Sequence, residues 1–240
     1  MQRKLKYTGF IIGVTVLFLI VTLKFVDDSS WKSWNLPLSG KVIVIDPGHG
    51  GPDGGANIQS VMEKDIALNV SLKLRDFLQE QGALVIMTRE EDKDLADKDT
   101  KGIRKRKQED LRNRANLINH SEADLFLSIH LNAFPSARWR GAQTFFTDRY
   151  EENKLAAKFI QAEIKRNLEN TSREAKLIDN IYLMRNAKKP GALVEIGFLS
   201  NPEDRANLLK DSYQEEIAAS VYKGVLRYFT EEELPANKAE

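Results

Sequence analysis

Three apolar strands lead to polar groups that a core would not choose, and together with Glu63 their types suit metal-assisted hydrolysis. His49 follows the apolar run Val42 to Asp46, His130 closes Leu125 to Ile129, and Glu195 follows Ala192 to Val194. Glu63 opens the first amphipathic stretch, downstream of the glycine-rich loop Pro47 to Gly55. Hydrolytic zinc sites use three protein ligands, often two His and one Glu, and keep a position open for water. His49, Glu63 and His130 supply that set. The ion would lower the pKa of water and polarise a carbonyl. A further carboxylate must then carry the proton from the water to the leaving group, and Glu195, in an apolar strand that favours its neutral form, is the spare one.

Each residue alone has an ordinary explanation. His49 could be a turn residue, His130 a satisfied core histidine, and Glu63 a favourable first-turn acid. Glu195 is hardest to dismiss, because a buried carboxylate is costly unless paired. His120 closes a helix, where the dipole and solvent explain it, and it has no ligand partner nearby in sequence. The loop Gly48 to Gly55 lacks the Gly-Lys-Ser/Thr ending of a phosphate loop and the GxGxxG spacing of a dinucleotide turn.

These groups can converge only if strands bring them to one rim. Lys41 to Asp46, Ala83 to Thr88, Leu125 to His130, Gly141 to Thr147, Ile181 to Arg185 and Ala192 to Ile196 read as six strands. Glu63 to Gln81, the end of the charged run Arg89 to Arg114, Glu152 to Asn170 and Tyr213 to Phe229 read as helices by their apolar period. The order predicts one α/β domain with a central mostly parallel or mixed sheet and helices on both faces. In such sheets the site lies beyond the carboxyl ends of the strands. The charged run, with Arg104 to Lys107 at its centre, reads as a solvated loop running into a helix, since neighbouring acids cancel most of its field. The loop Ala133 to Arg140, with Phe134 and Trp139, either lines a groove or is simply exposed.

Composition narrows the chemistry. The 240 residues include no cysteine, which removes disulfides, thiolate catalysis and Cys-based metal sites. With 36 Lys and Arg against 35 Asp and Glu, the net charge of +1 gives no global field for nucleic acid. Residues 1–26 hold a basic flank (Arg3, Lys4, Lys6) and the uncharged run Tyr7 to Leu23, the pattern of a signal peptide or N-terminal membrane anchor. No small-residue cleavage site precedes Asp27, which favours a retained anchor. Residues 27–40 read as a linker, 41–230 as the catalytic domain and 231–240 as a charged tail.

Four segments, in order, resemble one family: Asp46-Pro-Gly-His-Gly-Gly51, Glu63-Lys-Asp65, Ser128-Ile-His-Leu-Asn-Ala133 and Val194-Glu-Ile-Gly-Phe-Leu-Ser-Asn201. They resemble the zinc-dependent N-acetylmuramoyl-L-alanine amidases of the family-3 type. The resemblance implies Zn2+ on His49, Glu63 and His130 and Glu195 as catalytic acid/base. It implies cleavage of the amide between N-acetylmuramic acid and L-alanine in peptidoglycan, outside the cytoplasm. The anchor, the size and the Trp31-Lys-Ser-Trp34 stretch resemble the sporulation-associated subgroup, which strips stem peptides from spore cortex before muramic lactam forms and so serves germination on the forespore envelope side. An activating protein partner is open. Two rivals remain: a wall sugar deacetylase, against which Glu63 in place of Asp argues, and a non-catalytic wall-binding scaffold, against which the intact ligand set argues.

Overall fold

A computed structural model describes residues 12–20, 22 and 36–230. Residues 12–20 are helical, and among the described residues no helix is long and apolar enough to cross a membrane. Most of the expected anchor and linker, and the tail 231–240, lie outside the described residues. The compact unit begins at Pro37. Leu38 is fully buried and its N–H donates to the carbonyl of Gln81 at 2.9 Å.

The sheet is built from β1 (Val42–Pro47), β4 (Leu84–Met87), β5 (Leu125–Asn132), β6 (Gln143–Phe146), β7 (Lys176–Leu177) and β8 (Gly191–Phe198). A small antiparallel hairpin, β2 (Asn57–Ile58) with β3 (Val61–Met62), stands apart. Spatial order is β4-β1-β5-β8-β6-β7. The pairs among β4, β1, β5 and β8 are parallel, whereas β6 runs antiparallel to β8 and carries β7 parallel on its outer side. The expectation of a mixed six-stranded sheet therefore holds, with one member exchanged. Residues Ile181 to Arg185 are not a strand. They form α4 (Tyr182–Asn186), whose adjacent Leu183 and Met184 are both buried. The sixth strand is the two-residue β7, too short to leave a period in the sequence.

Side chains on a strand alternate between faces, and here the alternation sorts function from packing. Ile43 and Ile45 of β1, Leu125, Leu127 and Ile129 of β5, and Ala192, Val194 and Ile196 of β8 enter one apolar cluster. That cluster is covered by α1 (Glu63–Glu80), α3 (Glu151–Leu168) and α6 (Asp211–Phe229). Val44, Phe126 and Leu193 point the other way, into a smaller cluster with α2 (Ile103–His120) and α4. Asp46, Ser128, His130 and Glu195 share the parity of this second set. The polar row thus begins where the smaller cluster stops.

Candidate metal centre

The first strand delivers the loop that holds His49, and the loop is shaped by what it must admit. His49 itself has φ 60°, a left-handed conformation uncommon for a side chain that is not glycine. A Cβ on Gly48 would stand 2.4 Å from Cε1 of the His130 ring. A Cβ on Gly55, at φ +67°, would stand 2.6 Å from both Glu63 Oε2 and His49 Cδ2. Both glycines leave room for the candidate ligands.

His49, Glu63 and His130 each offer a ligand atom, and these atoms lie within 4.8 Å of one another. Glu63, the first residue of α1, is buried and reaches both imidazoles: Oε2 is 3.1 Å from His49 Nε2 and Oε1 is 2.9 Å from His130 Nδ1. It also accepts the N–H groups of Ala56 (2.9 Å) and Leu131 (3.0 Å). Burial raises the Glu63 pKa, but hydrogen bonds and charge from His130 and His49 outweigh it and hold the carboxyl well below the usual range. A carboxylate kept ionised in a low-dielectric pocket is a good ligand for a dication. His120 lies elsewhere, exposed, with Nδ1 2.7 Å from the carbonyl of Asn116.

Glu195 is the backbone partner of His130 across β5 and β8, directly beside it on the same face. It sits three residues before the end of β8, not at its tip as expected from sequence. The site gathers on a face as well as at strand ends. Its Oε2 is buried without a hydrogen-bond partner. Burial pushes its pKa up to about 7; the nearby Glu63 adds to this, and His130 and His49 oppose it. The residue also lines a cleft of about 790 Å³ with Asn132, Phe134, Trp139 and Phe198. The loop after His130 therefore borders the groove.

Sequence reasoning missed the layer behind the ligands. Asp53 Oδ2 lies 2.9 Å from His49 Nδ1, on the ring edge opposite Glu63, and Lys107 Nζ lies 2.9 Å from the same oxygen. His49 is pulled down by burial, but Asp53 and Glu63 outweigh this and raise it to about 9. A carboxylate on the far nitrogen of a ligating imidazole fixes its tautomer and orientation.

Beneath the loop, two buried arginines bind its inward carbonyls. Arg89 donates to the carbonyls of Pro47 (3.0 Å), Gly48 (2.8 Å) and Lys64 (2.8 Å). Arg114 donates to those of Pro47 (2.7 Å) and His49 (2.6 Å), to Asp46 Oδ1 (2.8 Å) and to Asp110 Oδ2 (2.9 Å). Asp46 is completed by hydroxyls of Thr88 and Ser128, both at 2.7 Å. The charged run is thus no simple solvated loop. Asp92 accepts from the Gly51 N–H and from Lys64, and Arg89, Asp110 and Arg114 are buried. An arginine directly after a strand and another on the apolar side of a helix were the available signals. Residues of the last motif also prove architectural: Asn201 caps α5 (Pro202–Leu208), accepting from the N–H groups of Glu203 and Asp204, and Ser200 Oγ accepts from the N–H of Phe134 at 3.1 Å.

The residues fit a metal ion by their chemistry: two imidazoles and an ionised carboxylate converge, with an unpartnered buried carboxyl oxygen alongside. Comparison with known proteins points the same way. A family profile described as N-acetylmuramoyl-L-alanine amidase matches residues 43–227. The chain is 58% identical over 231 residues to the germination-specific N-acetylmuramoyl-L-alanine amidase of Bacillus subtilis, covering 96% of this chain and 98% of the relative. Among solved structures, the CwlD amidase from Clostridioides difficile, in complex with the GerS lipoprotein, matches with TM-score 0.78 and 42% identity, covering 80% of this chain and 100% of that one. An N-acetylmuramoyl-L-alanine amidase from Clostridium difficile 630 matches with TM-score 0.70 and 28% identity, covering 80% of this chain and 98% of that one.

Proposed function

The chain belongs to the N-acetylmuramoyl-L-alanine amidase family, and from that premise we propose how this protein cuts the amide between N-acetylmuramic acid and L-alanine of peptidoglycan. The ligands are His49, Glu63 and His130, the acid/base is Glu195, and the ion is zinc. The observation that carries the reading is the cluster of three ligand atoms beside a carboxyl oxygen that is buried and unpartnered. Bound zinc would polarise the scissile carbonyl and lower the pKa of water at the site. Glu195 takes a proton from the attacking water as the carbon–oxygen bond forms. It returns that proton to the nitrogen as the carbon–nitrogen bond breaks, freeing the amino group of L-alanine. A carboxyl whose neutral form is favoured by burial suits both halves of that transfer. Asp53 holds His49 in the tautomer that presents Nε2.

The biological setting is cortex peptidoglycan on the forespore side, where stem-peptide removal precedes muramic lactam formation and germination. Support comes from the 58% identity to a germination-specific amidase along nearly the whole of both chains. Residues 1–26 anchor the protein to the membrane, a reading that rests on their basic flank and uncharged run. Every proposed site residue lies within residues 41–230 of the compact unit that begins at Pro37. A protein partner belongs to the same proposal, because CwlD was solved with the GerS lipoprotein.

The test is to incubate the purified protein with cortex-type peptidoglycan, with and without a chelator, and to count new L-alanine amino termini against released acetate. New amino termini that vanish with chelator and return with zinc support the reading. Acetate release without new amino termini would indicate a sugar deacetylase. Variants His49→Ala and His130→Ala should bind no stoichiometric zinc, and retention of zinc by both would refute the ligand assignment.

A further inference from the structure

The cleft beside Glu195 extends across β6 to the segment around residues 173–181, and that far wall carries two cations, Arg173 and Lys176. Arg173 is pre-set. Its Nη1 donates to the carbonyls of Arg140 (2.6 Å) and Gly141 (2.9 Å). Its guanidinium stands 5.0 Å from the centre of the Phe198 ring and 5.9 Å from that of Trp139. None of these partners is an anion. Neighbouring charges are matched: Arg140 pairs with Glu203, and Glu174 is taken by Lys165. Among the described residues, no carboxylate lies within 4.0 Å of the side-chain nitrogens of Arg173 or Lys176.

Strand register gives the distance to the chemistry. Gln143 is the β6 partner of Glu195, and Phe145, two residues on, is the β6 partner of Lys176. Two strand steps of about 4.8 Å and two residues of about 3.4 Å put the Lys176 backbone roughly 12 Å from that of Glu195. Side chains reach into the cleft from both ends. An extended peptide rises about 3.4 Å per residue, so a cation on the far wall meets a bound peptide beyond its first residue. A guanidinium already fixed by carbonyls and aromatic faces loses little further freedom on binding, and its free edge matches a planar carboxylate.

We infer that Arg173, with Lys176 beside it, forms a subsite for the free carboxylate on the second residue of the stem peptide. The subsite rests on the proposed amidase reaction and makes that reaction sensitive to peptide charge. It is tested with the full chain, loaded with zinc, on two sets of glycan strands. One set carries stem peptides with a D-glutamate carboxylate at the second position, the other the corresponding carboxamide. The acid is expected to be cleaved with a kcat/KM about ten- to hundredfold higher, the contribution of one charge-assisted hydrogen bond. Arg173→Gln should raise KM for the acid by about that factor, leave kcat little changed, and move the carboxamide far less. Arg173→Lys should keep part of the preference. Lys176→Gln, at an exposed position that does not threaten folding, should reduce the preference by a smaller factor. Equal cleavage of acid and amide by the wild-type protein would overturn the subsite while leaving the amidase reading intact. So would equal losses on both substrates in Arg173→Gln. Cleavage of neither by the wild-type protein would overturn the reaction and the subsite together.

Discussion

Replacing Arg114 with methionine tests whether the glycine-rich loop that carries His49 is held from beneath. The substitution keeps an unbranched side chain in the same space and removes the charge. Asp46 would be left buried with only the hydroxyls of Thr88 and Ser128, and the carbonyls of Pro47 and His49 would lose a donor. Removing one partner of a buried ion pair costs roughly 3–5 kcal/mol. For a domain of this size each kcal/mol moves Tm by roughly 2–4 °C, so the melting temperature should fall by about 6–20 °C. The loss should also depend on pH. Burial raises the Asp46 pKa, but Arg114 and the two hydroxyls outweigh it, so the net folded value lies below the ordinary one. The stability Asp46 contributes is therefore present above pH 4 and is lost as pH falls through the depressed value. Without Arg114, burial dominates and the folded pKa rises. Asp46 then opposes folding increasingly as pH climbs through and beyond the unfolded value. The gap between wild type and variant should widen from pH 4 to pH 8. Thermal unfolding followed by circular dichroism, in chelator so that metal binding does not contribute, measures it. Adding Asp46→Asn to the variant should recover part of the loss, since the pair is coupled. A drop under about 2 °C, or a gap independent of pH, would refute the reasoning.

Other outcomes follow from the same geometry. Glu195→Gln should keep stoichiometric zinc and lose turnover by about 10²–10⁴-fold, whereas Glu63→Gln should lose metal affinity first and recover part of its activity in excess zinc. Zinc content and amide cleavage, measured on both, decide the roles, and the reverse pattern would exchange them. Asp53→Ala should weaken zinc binding about 10–100-fold, the range for an outer carboxylate on a ligating histidine; calorimetric titration with zinc measures it, and unchanged affinity would remove Asp53 from the site. Gly55→Ala places a methyl 2.6 Å from both Glu63 Oε2 and His49 Cδ2, so it should abolish stoichiometric zinc in a chain whose far-ultraviolet spectrum remains folded; full zinc occupancy would show that the loop relaxes around the methyl.

His49 and His130 were legible because each follows an apolar run that a core would have continued, and Glu63 because it opens the amphipathic stretch after the loop that carries His49. A glycine-rich loop after a buried strand likewise announces a backbone that must approach something closely. The supporting layer was hidden by its own composition. Between Arg89 and Arg114 the sequence alternates acids and bases, and only helical phase, shared with Ala115 and Ile118, separates the buried Arg114 from Arg106, partly exposed and paired with Asp94. Burial of a charge is decided by distant partners, here Asp46 and the carbonyls of the loop that carries His49, which lie 65 or more residues away. The misread segment Ile181 to Arg185 failed for another reason. Five residues are too few to distinguish a strand from a helical turn, and the tertiary pocket beneath Leu183 and Met184 settles the matter.

The alternation along β5 and β8 has a consequence for how the gene can change length. His130 and Glu195 share one face because they lie four and two positions, both even offsets, from Phe126 and Leu193 in the smaller apolar cluster. Deleting Val194 would put Glu195 in its place, facing the larger apolar cluster, and bring Ile196 to the cleft, although no other residue changes. Substitutions in these strands can be absorbed one side chain at a time, but a single-codon insertion or deletion inverts the whole segment. Length variation among functional descendants of this chain should therefore collect in connections such as 133–141 and 169–175, which can lengthen without changing which way a strand faces.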